Sequence, residues 1–509
     1  MSKNKKVEMS LEEKLEKALV PVEEQEYKIP DNWVWTRLGE VNEVITGNTP
    51  SKNEESFWEN KDISFIKPDD LSQGRQLVYS KEYIDKRAIK KVRMLPKNTT
   101  LICCIGSIGK VAYSEIESCS NQQINSLVAK ENCVYPLYNY YLVNSIFFQS
   151  QMLENSSATT ISILNKSSTE KLLFPLPPLK EQKRIVEKLD FLFDKTKKAK
   201  EIIEEIKIDI ENRKISILDR AFKGTLTSKW RNENKTSDVK ELLKLINDEK
   251  IKKWEEDCLQ AEKNGNKKPK KPIIREVEDM IVPVEEQPYK LPASWVWVRL
   301  GEVVEVNPNK IKIDIREDEL VDFIPMKNVS ESSPEIIEKN FEKFKDLQKG
   351  YTQFIENDIL FAKITPCMEN GKTAIISDLK EKIGYGSTEF HILRSSKIIN
   401  NKLLYNFLKQ KRFKDDAKYN MTGSVGFRRV PTEFMKSYPF PLPPLEEQQE
   451  IVRILDEVLE NENKVKELLE LEERIDILEK SILNKAFKGE LGTQNSDDES
   501  ALELLKKII

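Results

Sequence analysis

Few residues in this chain have the types and spacing that chemistry would need. Gly106-Ser-Ile-Gly-Lys110 has the glycines and lysine of a phosphate loop. The Gly-x-x-x-x-Gly-Lys-Ser/Thr spacing is missing, however, and valine follows the lysine, so a tight turn between strands is expected. Pro68-Asp69-Asp70 could open a nuclease carboxylate cluster, but no Glu-x-Lys or Asp-x-Lys follows within thirty residues. Neither Gly-x-Gly-x-x-Gly nor Asn/Asp-Pro-Pro-Tyr/Phe occurs. The single histidine, His391, sits between Phe390 and Ile392 and reads as a structural residue of a strand. Six cysteines without a Cys-x-x-Cys pair suggest reduced, buried thiols and no zinc site. No acid, base and nucleophile come together, so catalysis by the chain alone is not expected.

The remaining chemistry is hydrogen bonding and phosphate binding. Asn, Gln, Ser, Thr, Lys and Arg read base edges and clamp phosphates. They gather in the loops of two segments. In 42–173 they are Thr49, Ser51, Lys67, Lys90, Lys91, Arg93, Ser107, Lys110, Asn121, Gln122, Gln123 and Asn125. In 304–439 they are Lys327, Lys363, Thr365, Asn370, Lys372, Ser387, Thr388, Ser424, Arg428 and Arg429. Lys90, Lys91, Arg93, Arg428 and Arg429 are the candidates for phosphate contacts, and the polar residues for base discrimination.

The elements that must position these loops follow from length and repetition. A chain of 509 residues allows two to four domains. Its 83 basic and 86 acidic residues leave a net charge of −3, so any basic surface must be local. No apolar run is long enough to span a membrane, and the Met1-Ser-Lys-Asn-Lys-Lys6 start does not lead into the apolar core of a signal peptide; a cytoplasmic protein is expected. Val20-Pro-Val-Glu-Glu-Gln returns as Val282-Pro-Val-Glu-Glu-Gln, and Trp33-Val-Trp-Thr-Arg-Leu-Gly as Trp295-Val-Trp-Val-Arg-Leu-Gly, both at an offset of 262. Phe174-Pro-Leu-Pro-Pro-Leu-Lys-Glu-Gln returns from Phe440, and Ser216-Ile-Leu-Asp-Arg-Ala-Phe-Lys-Gly from Ser481. Such offsets mean a tandem duplication. The middles, 42–173 and 304–439, are similar in length but not in sequence, as expected of one scaffold presenting two recognition surfaces.

After Pro177-Pro178 and Pro443-Pro444 both copies read as long helices, with glutamates in the first turn and Lys-Gly stops at 223–224 and 488–489. The apolar stripe runs through Ile185, Leu189, Leu192, Thr196, Ala199, Ile203, Ile206, Ile210 and Ile217. The second runs through Ile451, Leu455, Val458, Glu462, Val465, Leu469, Ile475, Leu478 and Ile482, with a one-residue slip after Leu469. About 36 residues at ~1.5 Å each gives ~54 Å. The stripes predict an antiparallel coiled coil about a pseudo-twofold axis. The middles read as mixed α/β, with strands at Ile63, Leu101 and Ile359 and helices at 136–153 and 400–418. The fold class is therefore α+β, with two mixed domains separated by two long antiparallel helices. The boundaries are 1–26 helical, 27–176 first domain, 177–224 central helix, 225–288 connection with a basic linker at 263–272, 289–442 second domain, 443–489 C-terminal helix and 490–509 tail. Because Glu503 to Ile508 repeats 241–246, the tail is expected to meet the N-terminal 9–19 segment and close a circular arrangement.

The paired tryptophan openings, the two Pro-Leu-Pro-Pro-Leu-x-Glu-Gln helix starts and the two Ala-Phe-Lys-Gly-x-Leu ends resemble the specificity subunit of type I restriction–modification enzymes. Lys363-Ile-Thr-Pro-Cys-Met-Glu-Asn-Gly-Lys372, Gly386-Ser-Thr-Glu-Phe390, Gly106-Ser-Ile-Gly-Lys110 and Asn121-Gln-Gln-Ile-Asn125 are similar to that family's target-recognition domains. The resemblance implies a non-catalytic subunit in which each domain reads half of a split, asymmetric DNA sequence, the half-sites lying on the scale of one turn, ~34 Å, apart. It implies two docked methyltransferase subunits for adenine N6 modification and two motor-nuclease subunits. S-adenosylmethionine, ATP and Mg2+ would belong to those partners, with no cofactor in this chain. Two rival readings are a subunit paired with a fused methyltransferase–nuclease, and a coiled-coil adaptor for two protein ligands.

Overall fold

The computed structural model describes residues 9–157, 162–263, 265, 267–424, 426–460 and 464–509. Prolines open the long helices as predicted, since a proline's missing N–H costs nothing where no acceptor precedes it. The first helix, Leu179–Phe222, runs 44 residues. The second stretch forms Leu445–Glu460 and Lys464–Phe487, with 461–463 outside the described residues. Gly224 and Gly489 end the helices at φ +70° and +72°, a left-handed conformation that glycine adopts without Cβ strain.

Two compact units result. One draws on residues up to Glu205 together with Glu467–Ile509; the other is Ile206–Lys466. The central helix contributes a stretch to each. In the first unit Arg184 meets Asp498, Thr196 donates to Glu479 and Lys200 pairs with Asp476 at 2.7 Å and Glu479 at 2.9 Å. Partner numbers fall as helix numbers rise, so the two helical segments of this unit run antiparallel, as predicted. Ile185, Leu189, Ile203 and Ile482 are buried along the stripe. Two stripe positions depart from expectation: Ile206 and Leu478 are exposed. An ideal helix drifts by ~20° per heptad against a seven-residue repeat, which turns such positions away from the partner. Glu462 and the side chains of Val465 and Leu469 lie outside the described residues.

Each divergent middle folds into the same sheets. The first unit has a four-stranded sheet ordered Asn42–Thr46, Ile124–Ala129, Thr99–Cys103, Val111–Ser114, and a second ordered Glu82–Ile84, Ile63–Ile66, Ser118–Ser120, Met94–Leu95. The other unit repeats both orders, with Val304–Val306, Phe390–Ser395, Ile359–Ala362, Thr373–Ile375, and Asn340–Lys343, Leu320–Ile324, Gly384–Gly386, Thr352–Phe354. One pairing per second sheet is parallel, Ile63–Ile66 with Ser118–Ser120 and Leu320–Ile324 with Gly384–Gly386; the others are antiparallel. The expected helices appear as pairs, Pro136–Val143 with Ile146–Glu154 and Asn401–Lys409 with Lys411–Tyr419. The first helix of each pair, Pro136–Val143 or Asn401–Lys409, packs on the first sheet of its unit, and the second helix packs on the first.

The repeated ends tie each unit shut. Val34–Arg37 pairs with Leu173–Leu176, and Val296–Arg299 with Pro439–Leu442. Behind each ribbon a tryptophan N–H donates to a buried glutamate at a helix start: Trp33 to Glu181 at 2.9 Å and Trp295 to Glu447 at 2.8 Å. Gln182 and Gln448 next in sequence each donate to two backbone carbonyls and accept one N–H, fixing the helix to its sheet domain. The tail helix Ala501–Lys506 lies against Leu11–Ala18, with Ala501 N–H donating to Asn32 O at 3.0 Å. The expected N- to C-terminal closure is thus present in the first unit. Pro269 of the basic linker lies against the helix Val239–Lys263, where Trp254 Nε1 donates to Pro269 O at 3.0 Å.

Candidate nucleic-acid interface

Apart from Asn125, which lies in the strand Ile124–Ala129, the predicted polar residues lie on loops and short turns between these elements, and backbone hydrogen bonds draw the loops into one cluster per unit. In the first unit Cys104 N–H donates to Gln123 O, Gly106 N–H to Ser162 O, Leu164 N–H to Cys104 O and Asn121 N–H to Ile66 O. In the second, Lys363 N–H donates to Glu389 O, Thr365 N–H to Arg428 O, Val430 N–H to Lys363 O and Ser387 N–H to Ile324 O. The four bonds correspond one to one. The same backbone wiring therefore carries two unrelated sets of side chains.

Within the first cluster Thr49 donates to Gln122 at 2.8 Å, joining the Gly47–Ser51 and Ser120–Gln123 loops. Asn48 of the same Gly47–Ser51 loop accepts from Arg93 N–H at 3.0 Å and donates to Lys91 O at 2.6 Å, drawing the basic Lys90–Arg93 turn to the same place. Gly47 permits the close approach of its loop to Ser120–Gln123, because a Cβ there would lie 2.2 Å from Asn121 O. Ser51 is exposed and accepts from Trp58 Nε1 through its carbonyl. Lys90, Lys91, Ser107, Lys110 and Gln122 are exposed. Arg93 spends one donor on Thr46 O, and Lys67 pairs with Glu82. Asn121 is buried and bonded to Gln123, so it shapes the turn that presents its neighbours.

Asn125 differs from the others. It is 1% exposed, donates to Leu164 O and Thr169 Oγ1, and accepts from Thr46 Oγ1. Its hydrogen bonds are internal, which leaves it holding the strand to the following loop. The equivalent position in the second unit is His391, 2% exposed, whose Nε2 donates to Val430 O at 2.8 Å while Nδ1 accepts from Asn307. Burial pushes this imidazole down to about 4, so it is neutral near pH 7. The structural role read from its neighbours in sequence agrees with this geometry. The cysteines are free thiols, and burial raises Cys104 and Cys119 to about 12.

In the second cluster Lys327, Thr388 and Ser424 are exposed. Lys372 donates to Met326 O at 3.2 Å, and Asn370 to Glu331 at 2.9 Å. Ser387 accepts from Glu389 N–H. Arg429 forms a two-pronged ion pair with Glu389 at 2.7 and 2.8 Å, which holds that carboxylate below its usual range. Lys363 beside them is half-buried, and burial lowers its ammonium. Arg428 donates to Met421 O, and the Thr365 hydroxyl is buried without a partner among the described residues. Exposed Lys90, Lys91, Lys110 and Lys327 carry no ion pair among the described residues, whereas Arg429 is neutralised within the protein. Two residues that sequence reasoning missed, Gln149 and Lys409, reach these loops from the helical pairs. Nothing in a helix pattern distinguishes them from ordinary surface positions.

The family model for the type I restriction modification DNA specificity domain matches twice, at residues 30–208 and 292–473. The chain belongs to this family. It is 36% identical over 336 residues to the EcoAI type I specificity subunit of Escherichia coli, covering 57% of this chain and 54% of that protein. It is 33% identical to the EcoEI subunit of the same organism over 57% and 53%. The chain spans about half the length of these two curated relatives. The EcoKI subunit of E. coli K12 is 24% identical over 94% of this chain and 96% of its own length. Among solved structures, a chain from a study of type I R-M complex assembly aligns over 91% of this chain and 100% of its own at TM-score 0.64 and 19% identity. The HsdS subunit of Thermoanaerobacter tengcongensis aligns over 92% of this chain and 100% of its own at TM-score 0.51 and 19% identity. These structural likenesses establish the fold. No helix among the described residues is long and apolar enough to cross a membrane.

Proposed function

We propose that this chain reads DNA sequence for a type I restriction–modification complex without catalysing a step itself. Each loop cluster reads one half of a bipartite, asymmetric duplex target, and the repeated long helices dock two methyltransferase and two motor-nuclease subunits. Adenine N6 methylation, ATP hydrolysis and cleavage then belong to the partners, together with S-adenosylmethionine, ATP and Mg2+. One observation carries the reading: two loop clusters share a backbone wiring bond for bond while their side chains differ. Such an arrangement suits two readers of one duplex with different base preferences. Exposed Lys90, Lys91, Lys110 and Lys327 supply phosphate affinity, and the polar loop residues discriminate bases at ~1–3 kcal/mol per good contact. The near-neutral charge fits a reader whose partners supply part of the DNA grip.

N6-methyladenine mapping tests this in cells carrying the methyltransferase subunit with and without this chain. A bipartite motif that disappears without the chain is expected, and exchanging 42–173 for another domain changes one half only. Methylation that is independent of the chain overturns the reading and favours an adaptor for protein ligands.

A further inference from the structure

The hairpin loops after Thr99–Cys103 and Ile359–Ala362 are held in both units by a helical side chain that reaches the equivalent backbone carbonyl, Gly109 O or Gly371 O. The bonds Cys103 N–H to Lys110 O and Ala362 N–H to Lys372 O set Gly109-Lys110 equivalent to Gly371-Lys372. In the first unit Gln149 Nε2, from the helix Ile146–Glu154, donates to Gly109 O at 3.1 Å and to Val143 O at 2.8 Å. In the second unit Lys409 Nζ, from the helix Asn401–Lys409, donates to Gly371 O and to Glu331 O, both at 2.6 Å. Glu331 in turn accepts from Asn370 of the loop. The two donors come from different helices of the pair, so the shared feature is the target carbonyl and not an inherited side chain. Both glycines have positive φ, +95° and +79°. A Cβ on Gly109 would meet Gln149 Oε1 at 2.3 Å, and one on Gly371 would meet Lys409 Nζ at 3.3 Å. Each loop is thus built to let the donor close on it.

We infer that Gln149 and Lys409 are positioning residues for sequence reading, each fixing the hairpin loop of its own unit, Ser107–Lys110 or Thr365–Lys372, in the form that meets its half-site. The inference rests on the proposed DNA-reading role. Neither side chain is assigned a base contact; each acts through the loop that it holds. A staple of this kind narrows the conformations available to the loop before DNA arrives, so less ordering is left for binding, and a wrong base is not accommodated by loop movement.

The test uses the full chain with its methyltransferase subunit. Gln149→Met and Lys409→Met remove the donors with little change in length, and Lys409→Arg keeps donors at the site. Methylation mapping of the wild type gives the motif. Gln149→Met is expected to cut discrimination about ten-fold at positions of one half only, Lys409→Met at positions of the other half only, and Lys409→Arg to restore reading. Amide exchange in the free chain supplies a second readout, with faster exchange at 107–110 or 365–372 in the respective methionine variant. Unchanged base preference and exchange in both variants overturn the inference, as does an equal loss across both half-sites, which a general folding defect would produce. If the wild-type chain directs no bipartite methylation, the DNA-reading role itself fails; the exchange measurement still decides whether the staples hold the loops.

Discussion

Replacing Glu447 and Glu181 by glutamine, one at a time, should give clearly unequal results although the two residues occupy equivalent places. Both are 0% exposed at a helix start and accept from a tryptophan N–H. Glu447 also accepts from Thr227 at 2.6 Å and from Arg231 Nε at 2.9 Å and Nη2 at 2.6 Å, with that guanidinium 5.5 Å over the Trp295 ring. Glu181 accepts from Thr493 at 3.0 Å, while Arg184 pairs with Asp498 instead. Glu447→Gln strips the counter-charge from a mostly buried arginine. Breaking such a pair costs ~3–5 kcal/mol, and we take about 3 because Arg231 retains some solvent contact. At ~2–4 °C per kcal/mol for a unit of this size, the transition reporting on Ile206–Lys466 should fall by roughly 6–12 °C. Glu181→Gln removes a charge that burial already disfavours, its carboxyl being raised above 4.5, and should change stability at pH 7 by less than about 1 kcal/mol. The sign of the pH dependence follows. Above pH 4.5 the folded state holds this proton more tightly than the unfolded chain, so wild-type stability falls as pH rises through that window, and Glu181→Gln flattens the slope. Thermal and urea unfolding from pH 4 to 8 measure both effects. Equal losses in the two variants would refute the reasoning.

Three further outcomes follow. The lone histidine gives one proton-NMR titration with a midpoint near 4; since its folded value lies below 6.5, its contribution to stability is complete above pH 6.5 and declines as pH falls towards 4. Replacing Lys90 or Lys91 by alanine should lower the slope of log affinity against log salt by about 0.9 each for duplex DNA, whereas Arg429→Ala should change it little, because Glu389 already neutralises that guanidinium. Gly47→Ala forces apart the loops at Asn121 and Ser120, and should cost ~1–3 kcal/mol by chemical denaturation together with weakened reading of one half-site.

The amino-acid sequence by itself determined the duplication, the long helices, the α+β class and the absence of a familiar catalytic constellation, because repeated motifs, proline starts, Lys-Gly stops and helical periodicity are local signals. It also carried the closure of Ala501–Lys506 onto Leu11–Ala18, since Glu503 to Ile508 repeats 241–246, the segment that leads on towards the second domain. Tertiary structure decided what the divergent middles share. Backbone N–H and C=O groups make the bonds that gather Gly106, Gln123 and Ser162 or Thr365, Glu389 and Arg428, and any side chain can ride on them, so sequence comparison of the two halves finds nothing there. The same reason hid the equivalence of Asn125 and His391, two different side chains that donate to equivalent carbonyls, Leu164 O and Val430 O. It also hid the roles of Gln149 and Lys409, which come from different helices and meet the loops only once the chain has folded.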